Sequence, residues 1–365
     1  MLTPTTDGQY RMEHNIITAT DSYKLTHWNQ YPEGTEIVYS YFEARSGATY
    51  NKTVFFGLQY LLKKYLHGRI VTLDKIEEAE KLTKIHLGSS NFFNRKMWRH
   101  ILETYEGRLP IQIKAVQEGT PVDINNVLMT VENTDPLCFP LTNHLETLLS
   151  HVWSASTTAT LSYEIYLLLK HYLEITGCNL NTIKFMLHDF GFRGTSSSES
   201  AGFQGAGHLL NFMGTDTLAA IELIRDYYNA SYDNLAYSVP ATEHSIMTSY
   251  GPDGEYRLLK ELIQKYPKGI LSLVIDSYDY RRFINTHARN LKSEILSRGG
   301  KTVFRPDSGD PNSVTIDVLE LLDSVFGSST NDKGYKELNP AVGVLWGDGI
   351  DYQGIRGILY TMRNQ

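Results

Sequence analysis

Cysteine is nearly absent: the 365 residues hold two, Cys138 and Cys178, neither in a CxxC or Cys/His spacing. That argues against a disulfide framework and against a zinc module. No apolar run approaches the ~20 residues of a membrane helix, so no membrane partner is expected. Basic blocks are missing and the formal charge is −7, which argues against nucleic acid as the partner. The first residues, MLTPTTDGQYRMEH, lack a basic start and an apolar core. No secretory signal is expected from them, and a reducing cytosol is the expected compartment. Solenoid repeats and low-complexity stretches are also missing.

Hydrophobic residues make up 41% of the chain, enough for a substantial core in one large or two ordinary domains. Residues 1–150 read as a mixed α+β domain. The stretch TEIVYSYFEAR (35–45) has strand composition. VFFGLQYLLKKYLHG (54–68) repeats apolar residues at helical spacing and stops at Gly68. LPIQIKAVQEGTPVDINNVLMTVEN (109–133) reads as strands joined at Gly119, and 139–176 as one or two long helices.

Residues 151–365 have a different texture, which sets in near 180. Short apolar runs end in polar loops and are followed by helical patterns. NTIKFML leads to HDFGFRG (188–194), YSVPAT to Glu243-His244-Ser245, and GILSLVI to Asp276-Ser277-Tyr278-Asp279. KTVF leads to RPDSGDP (305–311), and AVGVLW to GDGID (347–351). The intervening helices are expected at 216–228, 281–299 and 313–327, with a last one at 352–363. This alternation predicts a parallel sheet with helices outside, and chemistry gathered at strand C-termini as in a β/α barrel.

The five strand ends pool Asp189, Arg193, Glu243, His244, Asp276, Asp279, Arg305, Asp307 and Asp348 with five glycines, including Gly347. Arginine forks and glycine loops suit phosphate. Carboxylates suit ribose hydroxyls or a hydrated Mg²⁺. A histidine among carboxylates is a candidate acid, base or nucleophile. A phosphorylated sugar or nucleotide is the ligand class this implies. Blander roles exist for several of these residues. Asp276 and Asp307 suit turns or caps, His244 a hydrogen-bonded structural role, and Asp216 in GTDTLAAIEL the N-cap of a helix. GFQGAG (202–207) follows a serine-rich stretch rather than a strand, so it is not read as a dinucleotide loop.

Five stretches together resemble the nicotinamide phosphoribosyltransferase family: ATDSYKLTHWNQYPEGTEIVYSYFEAR (19–45), HDFGFRG, GTDT (214–217), EHS with DSYD, and RPDSGDP with GDGID. The likeness runs collinearly from about residue 14 to about 358. It implies a type II phosphoribosyltransferase: an irregular β/α barrel with a smaller N-terminal α+β domain. It also implies nicotinamide and phosphoribosyl pyrophosphate as substrates, Mg²⁺, ATP as co-substrate, and a homodimer with shared active sites.

By the same resemblance, Phe190 and the partner subunit's Tyr23 sandwich the pyridine ring, and Arg193 lies beside it. Asp216 accepts from the carboxamide and repels nicotinate. Arg305 meets phosphate, Asp307 the ribose hydroxyls, and Gly347 and Asp348 line the phosphoribosyl group. Arg45 reaches the neighbouring subunit's pyrophosphate. His244 is the residue phosphorylated by ATP, with Asp276 orienting it; the metal ligands stay unassigned. Family members continue past GDGID with a glycine-rich phosphate loop and further basic residues, so the resemblance implies a fragment, a second polypeptide that completes the site, or a reduced form. The neighbouring expectations are a nicotinate phosphoribosyltransferase, or a truncated, non-catalytic nucleotide-binding or partner subunit.

Overall fold

The computed structural model describes residues 14–364 except 232 and 234. They fall into two compact units. One holds the described residues up to Tyr163 together with His188–Ala236; the other holds Glu164–Leu187 and Tyr237–Gln365.

The first unit contains β1 (Tyr39–Glu43), β2 (Lys52–Val54), β3 (Ile111–Ala115), β4 (Pro121–Asp123) and β5 (Val127–Asn133). An antiparallel sheet runs in the order β1-β5-β3, with Tyr39 opposite Glu132 and Ile111 opposite Asn133. β2 and β4 form a separate antiparallel pair. These match the strands read at 35–45 and 109–133. The expected helix at 54–68 begins later, at Leu58, because Val54 is spent on β2 and Gly57 turns the chain at φ 106°. Phe55, Trp98, Ile101, Leu141 and Leu145 are fully buried in one core. The Phe42 ring packs 4.4 Å from Trp153 on the helix Val152–Thr176.

The same unit carries β6 (His188–Asp189) and β7 (Gly214–Thr215), a parallel pair with His188 opposite Gly214. NTIKFML, expected as a strand, is instead mostly the 3-10 turn Leu180–Phe185, which belongs to the second unit. Asn179 explains it: its side chain accepts from Asn181 N–H and its carbonyl from the Thr182 hydroxyl, a local alternative to a sheet ladder. GFQGAG lies within the helix Ser198–His208. Its glycines let neighbouring backbone approach, and a Cβ at Gly202 would lie 2.8 Å from the Ala219 carbonyl.

The second unit is built on β8 (Leu271–Val274), β9 (Thr302–Arg305), a hairpin of β10 (Ser328–Thr330) and β11 (Lys336–Leu338), and β12 (Val342–Val344). Three strands are parallel in the order β12-β9-β8, with Thr302 level with Leu271 and Val342. All four residues of β8 are buried, as expected for a strand covered on both faces. YSVPAT adds only a parallel bridge, Ala241 to Ser272. Pro240 has no N–H to extend a ladder, though its carbonyl accepts from Ser272. Helix Pro311–Phe326 starts with Asp310 accepting from Ser313 N–H and proline in the first turn. Its core centres on Phe283, Ile284, Phe304 and Leu322, all fully buried.

Among the described residues, no helix is long and apolar enough to cross a membrane.

Candidate active site

In the second unit, four of the expected strand ends meet. The His244 Nε2 atom is 3.3 Å from Asp276 Oδ1, and its Nδ1 is 3.7 Å from Asp307 Oδ2. The imidazole is half-exposed, whereas the Asp276 carboxylate is buried. Asp276 Oδ2 accepts from Asp307 N–H at 2.8 Å and from the Ser308 hydroxyl at 2.5 Å, so the RPDSGDP turn is tied to the end of β8. Asp276 Oδ1 has no hydrogen-bond partner among the described residues; its distance to His244 is short but poorly aligned.

Arg305 ends β9 and reaches across to the Thr242 carbonyl at 3.0 Å, while its Nε is buried with no hydrogen-bond partner among the described residues. A guanidinium N–H without a partner suits an anionic oxygen. Gly347 follows β12 and donates to the Pro306 carbonyl at 2.9 Å. A Cβ there would stand 2.4 Å from Asp307 Oδ1 and 2.9 Å from the Arg305 side chain, so any larger residue would displace them. Asp348 is exposed, and its carboxylate accepts from Gly349 N–H. Glu243 is turned to Ser245 and Asp279 caps the following helix through Arg282 N–H, so both have local jobs.

The fifth end, HDFGFRG, lies in the first unit. Asp189 is structural: Oδ1 accepts from Gly191 N–H at 2.7 Å and Oδ2 from the Thr215 hydroxyl at 3.2 Å. Its carbonyl accepts from Asp216 N–H, which keeps Asp216 at the strand end. The expected N-cap role of Asp216 therefore falls to Thr217, and no side chain caps that helix. Asp216 Oδ1 lies instead 3.2 Å from His188 Nε2. The His188 ring rests on Phe190, centroids 4.6 Å apart and tilted by 31°. His188 lies in the two-residue strand and Phe190 directly after it, an element too short for a period-two pattern to mark His188 in the sequence. Gly214 makes room for this ring, since a Cβ there would sit 2.6 Å from His188 Nδ1. Arg193 is exposed.

Tyr23 and Arg45 are also exposed in the first unit. Tyr23 sits edge-on to His27 and is steadied by its neighbour Lys24, buried and paired with Glu146 at 2.5 Å. Arg45 lines a cleft of about 1000 Å³ with Lys52, Tyr50 and Trp153.

For a metal, His100, Asp135 and Cys138 each bring a ligand-type atom within 4.8 Å of the others. Their contacts explain them without an ion. Burial works against ionised Asp135, yet hydrogen bonds from His100, Tyr105 and Leu137 N–H hold its carboxyl below the usual range. Burial and that carboxylate push the Cys138 thiol up to about 12, which disfavours the thiolate a metal would need.

A family model described as "Nicotinamide phosphoribosyltransferase, N-terminal domain" matches residues 15–113, and one described as "Nicotinate phosphoribosyltransferase (NAPRTase) family" matches 185–365. The chain is 44% identical over 349 residues to a nicotinamide phosphoribosyltransferase of Xanthomonas campestris pv. campestris, covering 94% of this chain and 73% of that one. It is 36% identical to the enzyme of the same name from Acinetobacter baylyi, covering 96% and 76%. Among solved structures it is similar to a nicotinate-nucleotide pyrophosphorylase from Pyrococcus furiosus, with TM-score 0.56, 15% identity, and coverage of 97% of this chain and 72% of that one. That likeness bears on the fold, a type II phosphoribosyltransferase architecture with an N-terminal domain.

Proposed function

The chain belongs to the nicotinamide phosphoribosyltransferase family, and from that premise we propose how its residues divide the work. The enzyme forms nicotinamide mononucleotide and pyrophosphate from nicotinamide and phosphoribosyl pyrophosphate, a step of NAD salvage. The bond forms at ribose C1 as pyrophosphate departs, through a cation-like state that nearby carboxylates favour.

Phe190 would take one face of the pyridine ring and the partner subunit's Tyr23 the other, since flat heterocycles stack well between aromatics. The observation that carries the base preference is the carboxylate of Asp216 beside His188. It accepts from a carboxamide NH₂ and repels the carboxylate of nicotinate, which favours nicotinamide. Arg193 would lie beside ring and sugar. Arg305 and the Gly347 backbone would hold phosphate, with Asp307 and Asp348 on the ribose side. Arg45 would reach the pyrophosphate held by the neighbouring subunit of a homodimer.

His244 would accept the phosphoryl group of ATP on a ring nitrogen, releasing ADP. Asp276 and Asp307 flank the two ring nitrogens, and one of these carboxylates would orient the imidazole N–H while the other nitrogen takes the phosphoryl group. Mg²⁺ would supply positive charge to the pyrophosphate. The carboxylates gathered there, Asp276 and Asp307, are the type of donor that a hydrated ion takes.

The test is a product assay with phosphoribosyl pyrophosphate, Mg²⁺ and either base, with and without ATP. Mononucleotide from nicotinamide, raised by ATP, supports the reading. Product from nicotinate at equal efficiency would overturn the role of Asp216, and no product from either base would overturn turnover by this chain.

A further inference from the structure

Glu255 is fully buried, and its Oε1 has no hydrogen-bond partner among the described residues. Burying a carboxylate with one oxygen unpaired is costly, so the position calls for a reason. The other oxygen, Oε2, accepts from Arg282 Nη2 at 2.9 Å, and the same Nη2 donates to the Pro252 carbonyl at 2.9 Å. His287, in the π-helical turn Phe283–Ala288, brings Nε2 to 3.6 Å of Oε2.

These contacts join two short segments. One is the helix His244–Tyr250 with the turn after it. Gly254 N–H donates to the Gly251 carbonyl, and Gly254 presses on Tyr250 so closely that a Cβ would meet the Tyr250 carbonyl at 2.1 Å. The turn between the His244 helix and Glu255 is therefore closed by a hydrogen bond and leaves no room for a side chain at Gly254. The other segment is the loop Asp276–Asp279, whose last carboxylate accepts from Arg282 N–H at 3.0 Å. Arg282 thus grips the end of one segment with its guanidinium while its backbone is fixed to the other. At the far ends of the two segments, His244 and Asp276 meet at 3.3 Å.

We propose that Glu255, acting through Arg282, is a positioning residue that holds the His244 imidazole against Asp276. The kinetic consequence rests on His244 being the phosphoryl acceptor; the geometric claim does not.

The experiment uses the full chain with Glu255→Gln, His244→Ala and the double variant, and has two readouts. The first is ATP-stimulated mononucleotide synthesis. The second is the rate at which diethyl pyrocarbonate modifies His244, followed by peptide mass spectrometry. Glu255→Gln is expected to lower kcat roughly fivefold or more, leave the nicotinamide KM within about twofold, and add nothing in the His244→Ala background. His244 is expected to be modified several-fold faster in the variant. Equal losses in both backgrounds would mean a general structural role and would overturn the proposal. So would an unchanged modification rate in a variant that keeps the wild-type circular dichroism. If Glu255→Gln does not fold, Arg282→Lys, which keeps the charge and shortens the fork, carries the same comparison. Should the wild-type chain make no mononucleotide, the enzymatic reading falls, and the modification rate alone decides the positioning claim.

Discussion

His188 Nε2 stands 3.2 Å from Asp216 Oδ1, and the same imidazole lies against the Phe190 ring. One histidine thus touches both the proposed stacking surface and the proposed amide acceptor. Stacking itself does not distinguish an amide from an acid, so in the proposed site the choice of base falls to the carboxylate.

Asp216→Asn tests that choice. An asparagine offers both donor and acceptor and no charge. The ratio of kcat/KM for nicotinamide over nicotinate is expected to fall roughly tenfold or more, mainly through better use of nicotinate. Parallel steady-state assays with the two bases measure it, and an unchanged ratio removes Asp216 from selectivity.

His244→Ala is expected to abolish labelling of the protein from γ-labelled ATP while slow, ATP-independent synthesis survives. Acid-labile, base-stable label that persists in the variant would place the phosphoryl group on another residue.

Gly347→Ala puts a methyl 2.4 Å from Asp307 Oδ1 and 2.9 Å from the Arg305 side chain. Both groups must give way. The KM for phosphoribosyl pyrophosphate is expected to rise roughly tenfold, equivalent to about 1.4 kcal/mol, with the melting temperature little changed. A normal KM would show that the two side chains are not held where the substrate needs them.

His144 governs part of the acid stability. Its ring is buried, with Nε2 3.1 Å from the Ile16 carbonyl, and burial lowers its pKa to about 4. The folded state therefore resists protonation that the unfolded chain accepts from about pH 6.5 downward. Stability from this group is complete above pH 6.5, declines as the pH falls toward 4, and is flat below. The loss is about 3 kcal/mol at the usual 1.4 kcal/mol per unit. Urea titrations between pH 7 and 4 are expected to show a shallower decline for His144→Gln than for the parent chain; parallel curves would exclude His144.

Much of the second unit could be read from the chain. β8, β9 and β12 are short apolar runs that stop at charge and glycine, and burial on both faces makes β8 uniform. YSVPAT looked similar but forms a bridge, because Pro240 cannot donate. Asn179 likewise overrode the apolar NTIKFML with local side-chain bonds. Of the five ends expected to gather, four meet in the second unit and bring together His244, Asp276, Arg305, Asp307 and Gly347, while HDFGFRG lies in the first. His188 was hidden by its two-residue strand, too short to show a pattern. Glu255 and Arg282 were illegible for another reason: each reads as an ordinary charged residue of an amphipathic helix, and only tertiary packing buries one against the other.

The bonds that assemble the His244 cluster all join distant parts of the chain: 31 residues separate Asp307 from Asp276, and 63 separate Arg305 from Thr242. No local segment can make such a cluster by itself, and parallel pairing of this kind forms late in folding. A ligand seated there consequently recognises the finished unit and nothing that precedes it. Its binding energy is then added to the stability of the whole unit, growing with the logarithm of ligand concentration above Kd. Heat resistance in the presence of phosphoribosyl pyrophosphate becomes a gauge of how much of the protein has completed its fold.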